Sequence, residues 1–144
     1  MMKYLVKLEF NLRKYNLKIK KMEKDFYKNL KLFLKDLVVI FPEDDESIQM
    51  ITTAINLAIM DDDDTKIIKD FYKAMFPLEH YIVKQDDAIF ETDPADFWSM
   101  SSYEYKLFLK IHTEWDTFNL HNKNMLWQYI QYLYILSKNI VNVI

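Results

Sequence analysis

Apolar residues recur at helical spacing along most of the chain, and they are densest in residues 122–144. Two interleaved series of 3-and-4 spacing surround most of that segment, so a helix there is apolar on nearly every side. Neighbouring elements have to cover such a helix, because each buried large apolar side chain contributes about 1.5 to 3 kcal/mol. We therefore predict that this segment is the central helix of the fold. Its predicted core residues are Leu126, Trp127, Tyr129, Ile130, Leu133 and Tyr134.

The first forty residues carry a second long pattern. From Leu5 to Ile40 the apolar residues keep a nearly unbroken heptad-like spacing, which indicates an amphipathic helix. One helix over this span would measure about 50 Å, which exceeds the width of a compact domain of this size, so we expect a break or an overhang. Residues 1–21 also alternate between apolar and polar, as two short strands would. Helix is favoured for that segment, with strands as the alternative.

Prolines and acidic clusters mark the boundaries of the next elements. Phe41 precedes Pro42 and is therefore pushed out of the helical region, which ends the first helix. Acidic residues fill positions 43–46 and 61–64, where they would stabilise the starts of two further helices through the exposed amides there. Pro77 closes the second of these helices.

The sequence of residues 78–122 predicts shorter elements before the central helix. Residues 78–90 suit one or two short helices. Ser101 and Glu104 form a capping box at the start of a helix that runs on to Phe118. A tight connection at residues 119–122 then leads into the central helix. The sequence thus predicts an all-α fold.

The predicted architecture is a single compact bundle of five or six helices around the hydrophobic C-terminal helix. Residues 22–144 form this helical-bundle domain, and residues 1–21 form a basic N-terminal extension. No segment predicts a membrane span, because polar residues interrupt the apolar run of the central helix well before the roughly 20 residues that a span needs.

The composition removes several kinds of chemistry, since the chain contains no glycine and no cysteine. Without glycine there is no phosphate-cradling loop or dinucleotide-binding turn, and we expect Asn or Asp at any left-handed position. Without cysteine there is no disulfide, thiolate metal ligand or thiol nucleophile, which fits a reducing compartment such as the cytoplasm. The N-terminus also shows no signal-peptide pattern.

The remaining candidates for chemistry are weak. The acidic run at residues 61–64 suggests a cation site, but consecutive carboxylates cannot all converge on one ion, so helix capping is favoured. His80, His112 and His121 show no ligand or catalytic spacing and are expected to be satisfied or at the surface. We therefore predict no catalytic residue, no cofactor and no metal ligand. An enzyme with a carboxylate-bound metal is the third hypothesis.

Charge divides the chain, although its net charge is only -3. Residues 1–40 hold eleven basic and four acidic residues (+7), whereas residues 41–104 hold four basic and sixteen acidic residues (-12). The acidic segment could bind a basic partner, pack near the basic one or be solvated. Lysines repeat along one face of the predicted first helix and could follow phosphates. The candidate nucleic-acid contacts, called here the lysine stripe, are Lys7, Lys14, Lys18, Lys21, Lys28 and Lys35.

Two segments of the chain resemble a known group of proteins. These are residues 22–46, MEKDFYKNLKLFLKDLVVIFPEDDE, and residues 112–136, which contain Trp115-Asp116 and then NKNMLWQYIQYLY. They resemble small helical proteins encoded by large nucleocytoplasmic DNA viruses of the mimivirus and algal-virus kind. The resemblance implies a viral origin and a place in the virion or the host cytoplasm, but it supplies no activity. Residues 1–21 lie outside it and could precede an internal start at Met22.

The first functional hypothesis is therefore a non-enzymatic protein that works through protein contacts. A virion or assembly component, or a binder of a protein partner, would use the abundant Tyr, Phe, Trp and Met in its contacts or its core. Under this hypothesis the protein partner could also be a second copy of the chain. The alternative is a nucleic-acid binder that uses the lysine stripe, and the acidic net charge makes it the less favoured of the two.

Overall fold

The computed structural model describes residues 2–60, 65–96 and 103–143, and these ranges are helical except for short connections. No strand occurs among them, so the all-α prediction is confirmed. Within these ranges there are six α-helices: α1 (Met2–Ile40), α2 (Asp45–Met60), α3 (Lys66–Met75), α4 (Glu79–Lys84), α5 (Tyr103–Glu114) and α6 (Leu120–Val143). Turns of 3-10 helix lie at Pro42–Asp44, Phe76–Leu78, Asp87–Glu91, Pro94–Asp96 and Trp115–Thr117.

Helix α6 lies at the centre of the bundle and contacts α1, α3 and α4. Its inward faces supply the largest set of core residues of any helix in the described ranges. Tyr129 is half-buried at the edge of this core. The predicted core residues that are buried are Leu126, Trp127, Ile130, Leu133 and Tyr134.

The start of α6 is set by a side-chain cap. The Asn119 side-chain oxygen accepts a hydrogen bond from the Asn122 backbone N–H at 2.8 Å, as an N-cap residue does. The helix therefore begins at Leu120, two residues before the predicted start.

Helix α1 is a single unbroken helix of 39 residues, about 58 Å long at 1.5 Å per residue. Helix rather than strand is therefore correct for the N-terminal segment, and the expected overhang occurs without a break. Two hydrogen bonds show that α1 runs antiparallel to α6: Tyr129 donates to Asp36 at 2.6 Å, and Tyr15 donates to the Val143 carbonyl at 2.8 Å.

The proline boundaries act as predicted. Helix α1 ends at Ile40, directly before Phe41 and Pro42, and the Phe41 N–H still donates to the Leu37 carbonyl at 2.7 Å. Helix α3 ends at Met75, and Pro77 lies in the 3-10 turn that follows. Phe41 leaves the helical region, with φ -123° and ψ 70°, whereas Phe76 stays in it, with φ -55° and ψ -45°.

The predicted extent of α5 is wrong at its carboxyl end. The α-helix stops at Glu114, and a 3-10 turn holds Trp115 instead. In this turn the Trp115 ring stacks on Phe90 with centroids 4.0 Å apart and meets the Trp127 ring edge-on at 6.0 Å. Ser101 of the predicted capping box lies outside the described residues.

The expectation that Asn or Asp supplies any left-handed residue is also wrong. Gln85 has a φ of 53° at the end of α4, and it is the positive-φ residue of the described chain. That conformation costs a non-glycine residue about 1 to 2 kcal/mol. Hydrogen bonds offset the cost, because the Asp86 N–H donates to the Tyr81 carbonyl at 2.9 Å and the Gln85 amide donates to Gln131 at 2.9 Å.

Candidate functional site

The first part of α1 projects beyond the rest of the bundle. Helix α6 reaches along α1 as far as Tyr15, whose hydroxyl bonds to Val143. Residues 2–14, called here the α1 overhang, lie past that point, and each of their side chains is exposed. At 1.5 Å per residue they form about 20 Å of helix. No described part of the chain covers any side of this segment.

The α1 overhang exposes the same apolar face that α1 buries further along. Leu5, Leu8 and Leu12, called here the overhang seam, are 55%, 45% and 54% exposed. Their heptad series continues through Tyr15 into Ile19 and Phe26, which are buried in the core. Isolated apolar side chains at a surface are ordinary, but a continuous row of them on one helix marks a contact surface.

The side of the α1 overhang opposite the seam carries apolar and basic residues together. Val6 and Phe10 are exposed opposite the seam. The segment holds Lys3, Lys7, Arg13 and Lys14 against Glu9 alone, a net charge of +3. Arg13 and Glu9 form an exposed ion pair at 3.2 Å, and such pairs contribute little. Because isolated helices of this length are marginal in water, covering the seam would also stabilise the helix.

The lysine stripe lies along the outside of α1. All six of its side chains are exposed, and they make no ion pair with any residue in the described ranges. Lys7 and Lys35 mark its ends, about 42 Å apart at 1.5 Å per residue. The stripe turns away from the overhang seam, so one helix presents a basic face and a separate apolar face.

A second exposed apolar row lies on α2, and the sequence analysis did not anticipate it. Met50, Leu57 and Met60 are 47%, 63% and 81% exposed, whereas Ile48 and Ile51 on the opposite side are buried. Thr53 completes the row at the same spacing and is also exposed. We call Met50, Thr53, Leu57 and Met60 the α2 seam.

Partly exposed polar contacts hold α4 against α6. The Glu79 carboxylate accepts hydrogen bonds from the Tyr134 hydroxyl at 2.8 Å and from the Lys138 ammonium. The bond from Lys138, and then that from Tyr134, lowers the pKa of Glu79 below its usual value. Burial, with the bond to Glu79, raises the pKa of Tyr134. These shifts keep Glu79 ionised and Tyr134 protonated, which suits a structural contact rather than proton transfer.

Tyr129 gives the fold a measurable pH dependence. Burial, followed by the hydrogen bond to Asp36, raises the pKa of its hydroxyl from 10.0 to about 12. Because the folded state holds this proton more tightly, the stabilisation is complete below pH 10 and is lost as the pH rises through 12. We expect urea unfolding to show a loss of stability over that range, and Tyr129→Phe to reduce the loss. Equal pH slopes for the two proteins would contradict the assignment.

Two of the three histidines are exposed, and the third is half-buried. His80 and His121 are exposed, as predicted for surface residues. His112 differs from the prediction, because its half-buried side chain has a buried Nδ1 without a hydrogen-bond partner in the described chain. It borders a shallow depression between Met75 and Ile130 with a volume of about 20 Å³, room for about one water molecule. A space of this size does not admit an organic substrate.

The acidic run that suggested a cation site, residues 61–64, falls outside the described residues. Elsewhere, the exposed Asp86 accepts from the Ala88 N–H at 3.0 Å, and the exposed Asp87 accepts from the Trp127 indole N–H at 3.2 Å. In the ranges that the structure describes, no group of three or more His, Asp or Glu side chains could hold a metal ion.

Comparisons with known proteins found no match to this chain. No protein-family model, curated protein or solved structure matches the chain. Among the described helices, none is both long enough and apolar enough to cross a membrane. The two exposed seams, and the net charges of the segments that carry them, are therefore the features that indicate a function.

Proposed function

We propose that the protein works by docking to other proteins through the α1 overhang and that it carries out no reaction of its own. The exposure of the overhang seam is the observation that carries this proposal. Leu5, Leu8 and Leu12 form a row that a partner helix or groove can cover, the mode by which amphipathic helices bind. Each leucine that is buried on binding contributes about 1.5 to 3 kcal/mol.

The bundle gives the docking segment a rigid base. Because α1 continues without a break from the α1 overhang into the core, Phe26 and Phe33 fix the direction in which the segment projects. The partner therefore meets a helix that is already oriented, which reduces the ordering cost of binding. If the resemblance to proteins of large DNA viruses holds, this contact would serve in the virion or in the host cytoplasm.

Nucleic-acid binding through the lysine stripe is the second candidate. The exposure of all six lysines fits it, and affinity would then fall steeply with added salt. Contacts between these lysines and phosphates, however, would leave the overhang seam without a function, because the seam lies on another face of the same helix. We therefore place protein docking first.

Photo-crosslinking in the cells in which the protein occurs tests the docking function. The photo-reactive residue p-benzoylphenylalanine would replace Leu8 in one protein and, as a control, the exposed Val83 of α4 in another. We expect protein adducts from position 8, and their loss when Leu5 and Leu12 are changed to Gln. Position 83 should give none. If position 8 yields no more adduct than position 83, the docking function is wrong.

A further inference from the structure

The overhang seam and the α2 seam match in spacing. Leu5, Leu8, Leu12 and Tyr15 follow one another at steps of 3, 4 and 3 residues. The α2 seam from Met50 to Met60 has the same steps over the same length. Steps of this kind place side chains in one narrow row along a helix, as at the contact of two helices in a coiled coil. Both rows are exposed, so the side chains of one row can pack between those of the other.

The two segments that carry the seams have opposite net charges. The α1 overhang carries a net charge of +3, with its basic residues on the sides of the helix away from the seam. Residues 43–64, which contain α2 and the acidic clusters before and after it, hold eight acidic residues and no basic residue, a net charge of -8. Contact between the two segments would therefore be attractive, whereas two copies of the overhang would repel each other. This complementarity favours α2 over a second overhang as the surface that the seam covers.

The two seams cannot meet within one molecule. Helix α2 follows α1 after a short turn and packs back along it. Its 16 residues reach only about 24 Å from that turn, whereas the overhang begins about 39 Å from Ile40 at 1.5 Å per residue. The unbroken α1 also directs the overhang away from its own α2. An α2 seam that contacts the overhang seam must therefore belong to a different molecule.

We propose that the α1 overhang docks on the α2 seam of a second copy of this chain. This inference rests on the proposed docking function and names its partner. Each copy offers one overhang and one α2, so a two-fold exchange makes two equal contacts and closes the assembly as a dimer. The doubled contact also brings the buried area closer to the roughly 1,000 Å² that a specific interface needs.

Sedimentation velocity on two variants and their mixture tests the inference. Leu8→Gln with Leu12→Gln removes the overhang seam, and Met50→Gln with Leu57→Gln removes the α2 seam. All four positions are exposed and glutamine is a good helix former, so both variants should keep the fold, which circular dichroism would verify. We expect the wild type to dimerise and each variant to dimerise about 10,000-fold more weakly, at about tenfold for each of the four apolar side chains that the two contacts of the dimer lose.

The mixture identifies which surfaces meet. Each variant retains the surface that the other lacks, so a 1:1 heterodimer keeps one of the two contacts. An equimolar mixture should therefore associate more strongly than either variant alone, although more weakly than the wild type. Added salt should weaken the wild-type dimer, because the interface joins opposite charges. The control protein, Val83→Gln with Ile135→Gln, changes two exposed apolar residues elsewhere and should dimerise like the wild type.

Three results would overturn the inference. A wild type that stays monomeric at its highest soluble concentration would exclude the second copy, while adducts from position 8 with other proteins would still support the docking function. A dimer that survives the α2 substitutions would indicate pairing of the overhangs with each other. A mixture that associates no more strongly than either variant alone, although the wild type dimerises, would show that these two seams do not meet.

Discussion

Replacement of Leu133 by alanine is expected to lower the free energy of unfolding by about 3 to 5 kcal/mol. Leu133 is fully buried on α6, the helix that contacts α1, α3 and α4. Removing its side chain leaves a cavity among three helices, so the cost exceeds the simple loss of apolar burial. Urea unfolding followed by tryptophan fluorescence measures the change.

Ile135 on the same helix provides the matched control. It is exposed, so its replacement by alanine should change the free energy of unfolding by no more than about 0.5 kcal/mol. A similar small effect at both positions would mean that α6 does not lie at the centre of the bundle.

The second large effect concerns two phenylalanines on α1. Phe26 is fully buried, and its ring meets Tyr27 and Phe71 edge-on with centroids 5.7 Å and 5.6 Å away. Phe26→Ala should therefore cost about 3 to 5 kcal/mol of stability. Phe10→Ala removes the same side chain from the exposed overhang and should cost no more than about 0.5 kcal/mol.

This pair tests the division of α1 into a buried and an uncovered part. Both substitutions exchange the same residues in the interior of one helix, so helix propensity contributes equally to both. Thermal unfolding of the dilute proteins gives the comparison. A large destabilisation by Phe10→Ala would show that the α1 overhang packs against the bundle.

Much of the fold follows from local signals in the sequence. The Phe41-Pro42 pair ends α1 because proline restricts the residue before it, and this effect needs no tertiary contact. The central position of α6 follows from its apolar residues on nearly every side. The turn at Gln85 was missed because the Gln85 side-chain amide donates a hydrogen bond to Gln131, and this partner comes from the folded bundle.

The candidate site could be predicted only in part. The heptad pattern of α1 is continuous, so nothing in it shows where α6 stops covering it; that point depends on the antiparallel pairing fixed near Tyr129 and Tyr15. The α2 seam was missed for the same reason. Met50 and Leu57 are as apolar as Ile48 and Ile51, and the packing of α2 against α1 and α5 leaves Met50 and Leu57 facing water.

Amide hydrogen exchange of the dilute wild-type protein, read peptide by peptide, tests the uncovered state of the α1 overhang most directly. Exchange depends on how readily each segment opens. The account predicts rapid exchange in residues 2–14 and slow exchange in residues 26–37 of the same helix and in residues 126–140. Exchange in residues 2–14 as slow as in α6 would contradict it, because the seam would then already be covered.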